Sequence, residues 1–149
     1  NRPIRIGYSS NPSSNLLFIG SSVNASQTTG VAITTGTAKT IVSISSVPVG
    51  MYMASYQITT VITTASATFT EERTLLCNTA DSTNNAINKI EDFDLLSTTR
   101  AIGQNFQKTG CGIWENNTAA ASIFLNVKYA FVAGPTIQST GNLRIVRIA

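Results

Sequence analysis

The sequence predicts an all-β protein, an antiparallel β-sandwich of the jelly-roll kind with two roughly five-stranded sheets. Three observations predict it. Apolar and polar residues alternate with a period of two along nearly the whole chain, the signature of half-buried strands. Turn residues punctuate that alternation at short intervals, which gives about ten short strands in one domain. Only 11% of the 149 residues are charged, against about 25% in ordinary domains, and Ser, Thr and Asn fill the polar positions instead. Thr is β-branched and fits a pleated surface. A chain of this length with 42% apolar residues can bury a full core in a single domain spanning residues 1–149.

In chain order, strands are expected near 3–8, 14–19, 30–35, 38–45, 51–64, 66–77, 86–97, 105–114, 119–132 and 141–149. Turns are expected at Asn11-Pro12, Gly20-Ser21, Thr29-Gly30, Gly36, Pro48-Val49-Gly50, Asp81 to Asn85, Gly103, Gly110, Asn116-Asn117, Gly134-Pro135 and Gly141-Asn142. Residues 87–96 fit either a strand or one helical turn, with Ile87, Ile90 and Leu95 apolar. Asn tolerates positive φ, so Asn116-Asn117 suits a two-residue hairpin turn joining the segment from Cys111 to the strand that follows.

Two strands carry apolar residues on both faces. After Gly50, Tyr52, Ala54, Tyr56 and Ile58 point one way, and Met51, Met53, Ser55 and Gln57 the other. In the last strand Leu143, Ile145 and Arg147 oppose Arg144, Val146 and Ile148. One sandwich covers one face of a sheet, so a second apolar face calls for another layer. A second subunit would supply it, and adaptable Met side chains suit such an interface. A long loop over the outer face is the alternative cover.

Gly50-x-Tyr52-x-x-Ser55-Tyr56-x-Ile58, preceded by Val47-Pro48, resembles the Pro-Gly-x-Tyr-x-Phe-Ser-Tyr-x-Val signature in the globular head of the first complement component. That head belongs to the tumour necrosis factor-like jelly-roll superfamily. The stretch Ser139 to Leu143 resembles the family's closing Ser-x-Phe-x-Gly-x-Leu, while Ala54 stands where the family has Phe. With its His-free, Ser/Thr/Asn-rich composition, the chain looks most like the heads of viral or phage fibres and spikes that adopt this fold. The resemblance implies a bell-shaped homotrimer. The strand from Gly50 and the terminal strand would share the inner sheet against the threefold axis, making Met51, Met53, Tyr52, Tyr56, Ile145, Val146 and Ile148 the candidate trimer interface.

The chain has no His, which removes Ser-His and Cys-His nucleophile pairs and the commonest zinc ligand. Glu71 and Glu72 are adjacent on a strand and face opposite sides, so no carboxylate pair supports an enzyme. In Glu91-Asp92-Phe93-Asp94 the two Asp share a face. Oxygens so spaced could hold calcium, but a solvated acidic corner is the preferred reading and no cofactor is expected. Cys77 and Cys111 read as two separate buried thiols, with a bridge as the alternative. The net charge of +3 comes from scattered basic residues with no aromatic interleaving, so no nucleic-acid partner is expected. No apolar run is long enough to insert into a membrane as a helix. Asn24-Ala25-Ser26 and Asn116-Asn117-Thr118 match the glycosylation sequon and are expected to go unused.

Trp114, the single Trp, lies beside Glu115, Asn116 and Asn117 near the expected hairpin tip. An aromatic ring next to amides can hold a sugar, the ring on a pyranose face and the amides on its hydroxyls. Capping the end of the sandwich core is the preferred role for Trp114, with sugar binding the alternative. Asp81, Asn84 and Asn85 belong to a second polar loop. The expected function is attachment of a trimeric virion or extracellular head to a host-cell surface receptor, a carbohydrate among the candidates. A structural capsid or spike jelly roll that binds its own copies is the alternative, and a glycan-acting enzyme ranks below both.

Overall fold

The computed structural model describes residues 16, 18–84, 86–132 and 134–149. They form eight strands: β1 (Ser22–Ile33), β2 (Lys39–Val47), β3 (Gly50–Ile62), β4 (Ala67–Cys77), β5 (Ala86–Arg100), β6 (Asn105–Asn116), β7 (Ala121–Phe131) and β8 (Ile137–Arg147). Two four-stranded antiparallel sheets result, in the orders β1-β8-β3-β6 and β2-β7-β4-β5. Among these strands β4 and β5 are the one consecutive pair that share a sheet; every other connection crosses the sandwich. This is a jelly roll, with four strands per sheet among the described residues where roughly five were expected. The strand expected at 3–8 and most of that at 14–19 lie outside the described residues, and Leu16, Phe18 and Ile19 are not in a strand.

Strands with clear alternation sit where the sequence places them, and 86–100 is a strand, not a helical turn. Three expectations need correction. First, β1 begins at Ser22 and runs through the expected turn at Thr29-Gly30 with a bulge between Gln27 and Val31. Its Ser/Thr/Gln-rich half shows weak alternation of its own and is held extended by pairing of Val23 with Ile145 and Ala25 with Leu143. Second, the expected turns at Gly110 and Gly141 are absent: Gly110 lies inside β6 opposite Tyr56, and Gly141 lies inside β8. A Cβ there would meet Ile58 Cδ1 at 2.7 Å and the Gln57 carbonyl at 2.9 Å, so glycine allows close approach of β3. Third, β6 and β7 do not form a hairpin. They belong to different sheets, residues 117–120 bridge them, and the positive φ falls on Ala120. The local turn chemistry of Asn116-Asn117 carries no information about which sheet the next strand joins.

The inward faces fill one core. Tyr52, Ile58, Ile62, Phe69, Leu125, Tyr129, Leu143 and Ile145 are fully buried. Each such side chain contributes about 1.5–3 kcal/mol. Phe69 and Tyr129 from one sheet meet Phe106 from the other in near-perpendicular ring contacts, with centroids 5.4 Å and 5.6 Å from Phe106.

Polar bonds also cross between the sheets. Tyr56 Oη on β3 donates to the Thr74 carbonyl on β4 at 3.0 Å. Thr60 on β3 bonds Tyr129 Oη on β7 at 2.9 Å and, within its own sheet, Ser139 on β8 at 2.8 Å. Burial pushes the Tyr56 phenol up to about 12 and raises that of Tyr129 as well, so both stay neutral hydrogen-bonding groups at physiological pH. Cys77 and Cys111 are unbridged, as the preferred reading had it. Cys77 is buried, but Cys111 is exposed, because it lies on the outward face of edge strand β6.

Gly141→Val should destabilise the fold by about 1–3 kcal/mol through overpacking. Urea unfolding checks this; an unchanged midpoint would mean that β8 does not pack on Ile58 as described.

Candidate functional site

The two polar loops expected to bind a ligand are largely committed to the fold. Trp114 on β6 pairs with Tyr52 on β3 and packs on its ring, with centroids 5.6 Å apart. It is buried and caps the core. Asn116 is buried too. Its amide donates to the carbonyls of Val47 at 3.0 Å and Pro48 at 2.9 Å, and its oxygen accepts the Thr118 amide at 3.1 Å. It thereby ties the β6–β7 connection to the β2–β3 turn, where Tyr52 Oη also donates to Pro48. The Trp114 ring and the Asn116 amide are therefore spent internally, and the second sequon is closed at Asn116. Asn24 of the first sequon is exposed on β1. Glu115 and Asn117 remain exposed.

The loop after β4 lies back over the outer face of its sheet. Asp81, at φ 48°, accepts the Thr40 amide at 2.7 Å, while its own amide donates to Thr40 Oγ1 at 2.8 Å. Asn126 on β7 donates to the carbonyls of Thr79 and Ser82 at 2.9 and 2.8 Å. This cover buries Leu75, Cys77 and Asn126. Asp81 is thus a fastener for the loop. Asn84 is exposed, and Asn85 lies outside the described residues. The loops do not converge: residues 117–120 lead into Ala121, which pairs with Val47, whereas Asp81 docks at Thr40, opposite Asn126 further along β7.

Charge gathers at the β5–β6 edge. Glu72 on β4 is buried; Arg100 donates to its Oε1 at 2.9 and 2.7 Å, and Lys108 Nζ lies 3.3 Å from its Oε2. Lys108 also meets Asp92 at 3.5 Å and hydrogen-bonds Asp94, while the Arg100 guanidinium stacks 4.0 Å from the Phe106 ring centroid. Asp92 and Asp94 do share a face, as the alternation required, and Glu91 turns away to Arg73 at 2.8 Å. The positive charge opposite these aspartates is the chain's own ammonium. Among the described residues no group of three or more His, Cys, Asp or Glu is placed to hold a metal ion. The Lys108 hydrogen bond and charge hold the Asp94 carboxyl below its usual range. Burial opposes the Lys108 charge, but Asp94, Asp92 and Glu72 outweigh it and raise its pKa. Sequence reasoning missed Glu72, Arg100 and Lys108 as a group, since they come from three strands.

Among the described residues, no loop covers the outer face of the β1-β8-β3-β6 sheet as one covers the other sheet. The alternation places Tyr52, Tyr56 and Ile145 inward, in the protomer's own core, and Met51, Met53 and Val146 outward. Met53 stands between Ile113 of β6 and Val146 of β8 in register. Met53 is 41% exposed, Ile113 43% and, just past β8, Ile148 37%. Ile113 extends the strip beyond the expected residues; its signal was the alternation with Trp114.

Two outcomes follow. Asn116→Ala leaves the Val47 and Pro48 carbonyls short of a donor and should cost about 1–3 kcal/mol in urea unfolding; a smaller loss would show water replacing the amide. Asp94, with its lowered folded-state pKa, contributes stability that is present above the ordinary aspartate range and lost as pH falls through the lowered value. Asp94→Asn should therefore flatten the acid limb of the stability–pH curve below about pH 4. An acid limb identical to the parent's would remove the Lys108–Asp94 pair as its source.

No protein-family model matches the sequence, and no curated protein sequence matches it. Its fold does match solved structures from infectious bursal disease virus. The structure of the Gx strain superposes with a TM-score of 0.54 at 11% identity over 86% of this chain, and the VP2 subviral particle with 0.53 at 9% over 85%. The viral particle of the same virus gives 0.53 at 8% identity over 85%. The chain spans about a third of the length of each of these, 33%, 33% and 31%. At such identities the likeness is one of fold: a jelly-roll sandwich of the kind these viral structures contain, broader than the complement-like or fibre-head type that the strand after Gly50 suggested.

Proposed function

We propose that this chain is a structural jelly roll of a virion, whose main contacts are with copies of itself in threefold groups. The observation that carries the reading is the partly exposed aliphatic strip of Met51, Met53, Val146 and Ile148 on a sheet whose opposite face is already full. The fold shared with viral particles supports the same role. Covering a half-exposed Met or Ile contributes on the order of 1 kcal/mol, so a strip repeated around a threefold axis adds up to a stable contact. The attachment-head reading moves to second place, because Trp114 and Asn116, its central ligand residues, serve the core. Receptor contact would then fall to exposed Glu115, Asn117 and Asn84 on the particle's surface.

Mass measurement in solution tests the proposal. The parent chain should form a trimer at high micromolar concentration, and Met53→Lys combined with Val146→Glu should yield monomers with an unchanged far-ultraviolet circular dichroism spectrum and a lower melting temperature than the trimer. A parent chain that stays monomeric, or a double variant that still trimerises, would overturn the strip as the contact surface.

A further inference from the structure

We infer that the polar half of this same sheet face is a binding cleft for a neutral, hydroxyl-rich ligand of the carbohydrate class. The face changes character along β3: beyond Ser55 the aliphatic strip gives way to Gln57 and Thr59. Register extends this into a grid. Asn142 pairs with both Ser26 and Gln57, and Thr59 pairs with Thr140. Neighbouring strands are about 4.8 Å apart, so side chains in adjacent rows can reach several hydroxyls of one sugar ring together. The β1 register shifts after Gln27, and Thr28 joins this floor in lining a shallow, open hollow of about 310 Å³. That volume is at the small end for ligand sites, enough for one or two sugar rings.

The chemistry of the lining selects the ligand class. Every lining side chain is an amide or a hydroxyl, apart from Gly141, and none carries charge. Amides and hydroxyls both donate and accept, which matches the paired character of sugar hydroxyls. The Gln57 amide donates to Gln107 Oε1 at 3.0 Å, which holds its side chain in place and leaves its own oxygen as an acceptor. Without an aromatic platform a single cleft binds weakly. Repetition of the cleft on a particle multiplies weak contacts through avidity.

The test is an array of neutral and sialylated glycans probed with the full chain, followed by NMR titration of the strongest neutral binder. Neutral glycans should bind, with amide shifts in residues 26–28, 57–59 and 140–142. Asn142→Ala and Thr140→Ala should each weaken binding by about tenfold with unchanged melting, whereas Asn117→Ala should leave it intact. An array without neutral binders, shifts that map to residues 115–120, or undiminished binding by Asn142→Ala would each overturn the assignment. Because these residues lie off the aliphatic strip, the trimer mass of Asn142→Ala should equal the parent's, so loss of sugar binding and loss of assembly are separately readable.

Discussion

The two sheets are held in register by polar groups that must find partners across the core. Apolar packing alone is non-directional and would tolerate sliding of one sheet over the other. Tyr56 to Thr74, Tyr129 to Thr60, and Lys108 to Glu72 each join one sheet to the other at a fixed position. An unpaired buried hydroxyl or carboxylate is costly, so each link penalises any shift of the sheets. No buried side-chain nitrogen or oxygen among the described residues lacks a partner. The three links also divide the interior: neutral bonds in the middle, and the charged group at the β5–β6 edge where Asp92 and Asp94 reach solvent.

That division explains why the charged cluster is structural. Glu72 is buried, and burial of a lone carboxylate is prohibitive. Arg100 and Lys108 neutralise it, and Arg100 in turn lies over Phe106, so the ion pair is packed as well as bonded. Gly112 belongs to the same arrangement: a Cβ there would meet Ile90 Cγ1 at 2.7 Å, so its absence lets β5 close over β6. With β5 drawn in, its aspartates arrive at Lys108.

What the sequence made legible was whatever alternates. β2 to β7 could be placed from period and punctuation, and the inward and outward sets of β3 follow from its pattern without further information. The first half of β1 could not, because Ser, Thr, Asn and Gln give little contrast between its faces and its extended form depends on β8, more than 100 residues away. Gly141 misled for a related reason: a glycine that admits a neighbouring strand looks like one that turns the chain. At the candidate sites, Trp114 and Asn116 carried the composition of a sugar patch, yet a side chain next to a strand end serves the core or the ligand according to which strand lies behind it. Two-sided apolarity, read as the mark of an interface, mixed core residues such as Tyr52 and Ile145 with surface ones such as Met53.

The outer faces of the two sheets differ in how far the chain itself covers them. One is covered by the chain itself: the loop from Asn78 to Asn84 is fastened by Asp81 and Asn126 and seals Leu75 and Cys77. The other carries no such loop among the described residues. It keeps half-exposed aliphatic side chains at the Gly50 end and uncharged amides and hydroxyls at the other, with exposed Arg144, paired with Ser55, between them. Both halves lack dense charge, and dense charge is the usual means by which a β-surface keeps other chains away. An apolar half favours a partner that brings matching apolar surface, and a copy related by symmetry brings it automatically. The polar half favours a partner rich in hydroxyls. A single sheet face thus carries two chemistries suited to two kinds of contact, and the change occurs at Ser55, between Met53 and Gln57 of one strand.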